Sequence, residues 1–220
     1  MVKLRLPQSK EERAAAYLRV LFEIDARVHA IKVTMTSDWP AGMSREICQL
    51  QLRHICELVA IGCAVIQGEY QCFSIGEWKP KNIFRALSAK YEGFFPQSAV
   101  ITKAATGTDI RCNVVPGCVT RSEIEAIWER TGNVLHRLSV KSYFREDEAG
   151  NKLADVEESV VKIKTLLDSH AIPMHGPKIL VVAGLGFNNG RPGISYYEYN
   201  DNQTMSVAHF DLKGPSDYWK

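Results

Sequence analysis

The chain has 220 residues, 45% hydrophobic and 24% charged, with 27 basic and 25 acidic residues giving a net charge of +2. A chain of this size and composition builds an ample core without disulfides or a structural metal, which excludes a disordered or disulfide-scaffold protein. The charge balance excludes a domain basic throughout, so any anionic partner must meet a local patch.

The opening MVKLRLPQSKEER has no uninterrupted apolar stretch and no small-residue cleavage site, so no secretory signal is expected. The longest apolar run, Leu58 to Ile66, falls far short of the roughly 20 residues of a membrane span. No membrane partner is expected, and the location expected is cytoplasmic. Cys48, Cys56 and Cys63 fall in one apolar helical pattern and read as reduced, packed thiols.

Ser9 followed by Glu12 forms a capping box, opening a helix whose apolar face runs through Tyr17, Leu18, Leu21, Ile24, Val28 and Ile31. The turn Trp39-Pro40-Ala41-Gly42 ends it. A second helix is predicted from about Ser44 to Gln67, stopped by Gly68. Cys48, Leu52, Ile55, Cys56, Val59, Cys63 and Ile66 share its apolar face, and from Leu58 onward it is apolar all round, as a central core helix would be. A shorter helix follows Pro80, from Lys81 to about Tyr91. Alternation from Ala99 to Val115 predicts a β-hairpin or a loose strand pair, closed by Pro116-Gly117.

Thr120 and Glu123 form a second capping box ahead of a helix carrying Ile124, Ile127, Trp128, Val134 and Leu135. Gly132 interrupts it, at a cost of about 1 kcal/mol relative to alanine. The last helix is predicted from Leu153 to Ser169, stopped by Pro173. Beyond it, strands are predicted at Lys178–Ala183, Ile194–Tyr199 and Met205–Leu212, with a turn at Asn188-Asn-Gly190. The fold class is therefore α+β: a bundle of about five helices with a C-terminal antiparallel sheet. Residues 1–175 form the mainly helical part, including the hairpin, and 176–220 the strands packed on it.

The chemistry-bearing pattern is Arg130-Thr-Gly-Asn-Val-Leu-His136, an arginine and a histidine with five residues between them. A histidine near its reference pKa moves protons at neutral pH, and an arginine steadies the charge of a phosphorane-like centre. Asn133 adds a hydrogen-bonding group for a phosphate or ribose. This pattern resembles the HEPN superfamily, helical nucleotide-binding proteins that carry an Arg-x4–6-His motif late in a helical bundle, and is also similar to uncharacterised bacterial proteins. The resemblance covers the helical part. It implies metal-independent RNA cleavage or RNA binding by a homodimer, with Arg130 and His136 as the functional pair composed across the dimer interface and no cofactor or metal.

From Asn133 to Arg145 there is no acidic residue, while Arg137, Lys141 and Arg145 add positive charge beside Tyr143 and Phe144, a segment suited to a phosphate backbone and a stacked base. Glu46, Arg53 and Glu57 occupy a stripe about 40° wide on the second helix. They read as the wall of a polar pocket facing the Arg130 helix or as a structural ion pair, with Arg53 and Glu57 able to pair at i,i+4.

The alternative function is a non-catalytic interaction protein or accessory subunit, in which these groups are structural and Tyr196, Tyr197 and Tyr199 are exposed contacts for a protein partner.

Other patterns carry less. The glycines of Val182–Gly190 precede a tyrosine-rich strand instead of the helix a dinucleotide loop requires. Asp211-Leu-Lys213 with Glu198 or Asp201 lacks the elements of a metal-dependent nuclease core. His170 with His175, and Cys112 with Cys118, have no second ligand pair at zinc spacing.

Overall fold

The computed structural model describes residues 6–69, 77–104, 107–112, 115–135, 149–174, 179–188, 190–199 and 205–210. Five helices lie in it: α1 (Lys10–Met35), α2 (Ala41–Gln67), α3 (Pro80–Ser88), α4 (Arg121–Leu135) and α5 (Ala149–Leu167). Six strands are β1 (Gln97–Ala104), β2 (Gly107–Cys112), β3 (His170–Met174), β4 (Ile179–Asn188), β5 (Arg191–Tyr199) and β6 (Met205–Phe210). They form one antiparallel sheet in the order β2-β1-β3-β4-β5-β6. The α+β class stands as the sequence suggests.

Local chemistry accounts for the helix ends. Ser9 accepts from the Glu12 amide and Glu12 reaches back to the Ser9 amide, the expected capping box. Thr120 and Glu123 do the same for α4, with Thr120 N donating to Glu123 at 2.8 Å. Gly68 caps α2 at φ 68°, a left-handed conformation that favours glycine.

Helix α2 is the centre of the core. Cys48, Leu52, Ile55, Cys56, Val59, Cys63 and Ile66 are buried together with Leu18, Leu21 and Ile24 of α1, Ile124 of α4 and Ile163 of α5. By length and composition α2 would pass as a membrane span, yet 61% of its most apolar stretch is buried inside the fold. The sheet adds its inner face to this core through Ile172, Val181, Ala183, Ile194 and Tyr196. Its other face carries a smaller cluster of Ala99, Ala171, Val182 and Tyr197.

Two expectations are corrected here. Helix α5 ends at Leu167 without help from Pro173, which lies inside β3, paired with Leu180 of β4. On its other side, the β1 pairing covers only Gln97/Ala171 and Ser98/His170, and Pro173 O accepts from Gln67 Nε2 at 2.6 Å. A residue without an N–H is tolerated there because no strand asks for one. Tyr196 and Tyr197 are 8% and 4% exposed, so neither is a surface contact; the Tyr199 side chain lies outside the description.

The joint between helices and sheet is polar. Tyr17 Oη and His170 Nε2 lie 2.7 Å apart, both groups fully buried, with the rings edge to face at 5.9 Å. His170 Nδ1 lies 3.3 Å from Leu167 O, which sets the proton on Nδ1 and leaves Nε2 to accept from the tyrosine. Burial lowers the His170 pKa to about 4, so the ring is neutral. The Tyr17 ring passes over Gly62, where an added Cβ would come within 2.7 Å of it.

Candidate functional site

Helix α4 presents two different sides. Towards α2, Trp128 donates its indole N–H to Glu57 Oε1 at 2.8 Å. Arg53 stacks 3.9 Å over the Trp128 ring, pairs with Glu57 at 3.3 Å and donates to Trp128 O at 3.1 Å. His54 Nδ1 adds a contact to the second Glu57 oxygen at 3.1 Å. Thr131, fully buried, also donates to Trp128 O, at 2.9 Å.

Gly132 belongs to this arrangement: a Cβ there would sit 2.4 Å from Arg53 Nη1. The glycine that weakens the helix makes room for the guanidinium. Arg53 and Glu57 thus pair within α2, as their spacing suggests, and reach α4 through Trp128. Glu46 stands apart, exposed and without a hydrogen bond or ion pair among the described residues.

The other side of α4 is open. Arg130 is exposed and Nη2 donates to Ser159 Oγ of α5 at 2.9 Å, while Ser159 donates to Asp155 O at 2.7 Å. Arg130 and Ser159 line a cleft of about 120 Å³ together with Glu123, Ala126, Ile127, Asp155, Glu158 and Lys162. Lys162 bridges Glu158 at 2.9 Å and Glu123 at 3.4 Å. These contacts raise the Lys162 pKa, its bond to Glu158 first, and the bond from Lys162 holds Glu158 below its usual range.

Lys162 is therefore neutralised within the cleft. Arg130, by contrast, is oriented by a neutral hydroxyl and makes no carboxylate ion pair among the described residues. A guanidinium held in this way keeps N–H donors for an anion, while its charge also acts on Glu158, one of three carboxylates lining the same cleft.

Asn133, three residues on, is exposed on the same helix. His136, Arg137, Lys141 and Arg145 lie outside the described residues, as do Asp201, Asp211, Lys213 and His175. Glu198 is engaged by Lys10 of α1, and His170 by Tyr17. Cys112 is exposed and Cys118 half-buried, both as free thiols. Among the described residues no group of three or more His, Cys, Asp or Glu side chains gathers as a metal site.

Sequence reasoning missed Ser159, Lys162 and Trp128. The Glu158–Lys162 spacing of four was readable as an ion pair; nothing in the sequence links Ser159 to an arginine 29 residues earlier. Compared with known proteins, the chain matches no family model, no curated protein and no solved structure.

Proposed function

We propose that this is a HEPN-like, cytoplasmic RNA-binding protein that cleaves RNA without a metal, acting as a homodimer. The observation that carries the reading is Arg130: exposed on a cleft, aimed by Ser159 and in no carboxylate ion pair among the described residues, although its charge reaches Glu158. In this role it binds the scissile phosphate and stabilises the charge that grows as a neighbouring hydroxyl attacks phosphorus. His136 takes the proton from the attacking hydroxyl and returns one to the leaving oxygen. Asn133 orients the phosphate or ribose, and Arg137, Lys141 and Arg145 hold the flanking backbone.

The Arg53–Glu57–Trp128 clamp supports this by setting the rotation of α4, which turns Arg130 away from α2. The HEPN resemblance implies a site assembled from Arg130 of one chain and His136 of another. The buried free thiols Cys48, Cys56 and Cys63 suit a reducing compartment.

The test is incubation of purified protein with mixed RNA in EDTA, beside His136→Ala and Arg130→Ala. Cleavage by the parent that both variants lose, with folding intact by circular dichroism, is the expected result. Cleavage retained by either variant, or none by the parent, counts against the reading.

A second reading, a non-catalytic interaction protein, is favoured by one observation: Trp39, Met43 and Leu50 are 51%, 54% and 40% exposed at one end of the bundle. In that reading RNA is neither bound nor cut, and the α4 polar groups serve packing alone.

A further inference from the structure

Between Glu77 and Glu92 the chain carries four basic residues, Lys79, Lys81, Arg85 and Lys90, and no acidic one. Helix α3 sorts them by side. Its buried side is Pro80, Ile83, Phe84 and Leu87, with Phe84 against the rings of Phe94 and Phe95. Lys81, Arg85 and Ser88 recur at spacings of four and three on the opposite side, and all three are exposed. Trp78 stands three residues ahead of Lys81, 49% exposed, its indole N–H without a hydrogen bond among the described residues.

Two of the three flanking carboxylates are occupied. Glu77 accepts from Lys79 N at 3.0 Å and from Asn82 Nδ2 at 2.9 Å, and these bonds, that of Asn82 foremost, hold its carboxyl below the usual range. Its charge also acts on Lys79. Glu69 pairs with Lys90 at 2.8 Å and accepts from Tyr91 Oη. Glu92 is exposed past the helix end. Lys81 and Arg85 make no ion pair among the described residues, and Arg85 donates to the neutral amide oxygen of Asn82, at 3.4 Å.

We propose that this face of α3 binds single-stranded RNA, Trp78 stacking on a base while Lys81 and Arg85 contact successive phosphates. Their separation of four residues, about 6 Å along the helix, suits neighbouring phosphates of an extended strand. The two cations supply attraction to the backbone whatever the sequence, and an indole face accepts any base. A duplex, whose base faces are already stacked, leaves Trp78 unused. An anionic membrane would need a broader apolar surface, and among the described residues Trp78 is the one exposed large hydrophobic side chain on or beside α3. The cleft at Arg130 is lined by α4 and α5 alone, so the α3 face is a separate contact.

The inference rests on the RNA-binding reading above and names where the strand is held away from the reacting bond. It does not require cleavage. Single-stranded RNA with 2′-O-methyl sugars has no hydroxyl to attack phosphorus, so with it binding is read alone.

Titrated into the full chain, this RNA is expected to bind and to quench tryptophan fluorescence. Lys81→Ala with Arg85→Ala is expected to weaken binding more than about tenfold at low salt. The slope of log affinity against log salt should fall by about 1.4, the share of two phosphate contacts. Trp78→Ala should weaken binding by at least about fivefold, whereas Trp78→Phe, which keeps a stacking ring, should bind nearly as the parent does but lose most of the quench. These side chains are exposed, so circular dichroism and melting should match the parent. No binding by the parent overturns this proposal together with the RNA reading. Binding that Arg130→Ala abolishes but the double substitution leaves unchanged in affinity and salt slope overturns this proposal alone. So does a quench retained by Trp78→Phe, equal affinity for a duplex of the same sequence, or a preference for an acidic peptide or anionic vesicles.

Discussion

Tyr17 and His170 join α1 to β3, and Arg130 and Ser159 join α4 to α5; each is a hydrogen bond between side chains distant in sequence. The first pair is sealed. Its imidazole is neutral, both ring nitrogens are engaged, and the tyrosine ring lies on Gly62 with no room for a methyl group. In the second pair Ser159 is buried but Arg130 is open to water, and its charge is not met by an ion pair with any described carboxylate. Polar groups of similar kind thus divide by solvent access: enclosed, they specify how elements meet, and exposed, they remain available to a ligand.

The contrast can be broken most forcefully through pH. His170 has a folded pKa of about 4 against 6.5 in the unfolded chain. Below pH 6.5 the unfolded chain takes up the proton first, so the stability is whole above 6.5 and is lost progressively as pH falls towards 4. The loss is on the order of 3 kcal/mol for this fully buried group. Urea unfolding at several pH values should show it, and His170→Gln, which cannot titrate, should flatten the slope between pH 6.5 and 5. An unchanged slope would mean that His170 is not the sealed group described here.

Gly62→Ala addresses the same joint by packing. The methyl group must push the Tyr17 ring from its bond with His170, and the gain of about 1 kcal/mol in helix propensity does not offset this. A net loss of about 2 kcal/mol is expected, read as a lowered denaturant midpoint. The smallest effect belongs to the open pair. Ser159→Ala should cost about 1 kcal/mol, since a buried hydroxyl gives up its bonds to Arg130 and Asp155 O while the arginine it releases is already exposed. The same variant should weaken RNA binding, because Arg130 loses the hydroxyl that aims it; filter binding measures this directly.

Much of the helical half was legible because its signals are local. Two capping boxes, the glycine after Gln67 and the 3.6-residue recurrence from Cys48 to Ile66 each arise within a few turns of chain. Strand β3 was not legible: five residues with a proline read as a helix stop, and only the ending of β1 beside it makes Pro173 acceptable. Tyr196 and Tyr197 misled for a related reason. Adjacent residues of a strand point to opposite faces, and this sheet has an apolar cluster on each, so both are buried. At the candidate site the Arg53–Glu57 pairing followed from spacing. Its target, Trp128, and the Arg130 partner, Ser159, depend on how helices are brought together, which no short pattern encodes.

Pro173 has a further consequence for how the sheet comes apart. The hairpin of β1 and β2 is stitched to the rest at Gln97/Ala171 and Ser98/His170, with Ala99 and Ser169 exchanging two more hydrogen bonds; past that point β3 offers a proline and a carbonyl already taken by Gln67. The pairings of β3 with β4 and of β4 with β5 are longer and continuous with the core. Amide protons of the hairpin are therefore expected to exchange ahead of those of β3, β4 and β5, the hairpin peeling from a short seam backed by the small cluster of Ala99, Ala171, Val182 and Tyr197.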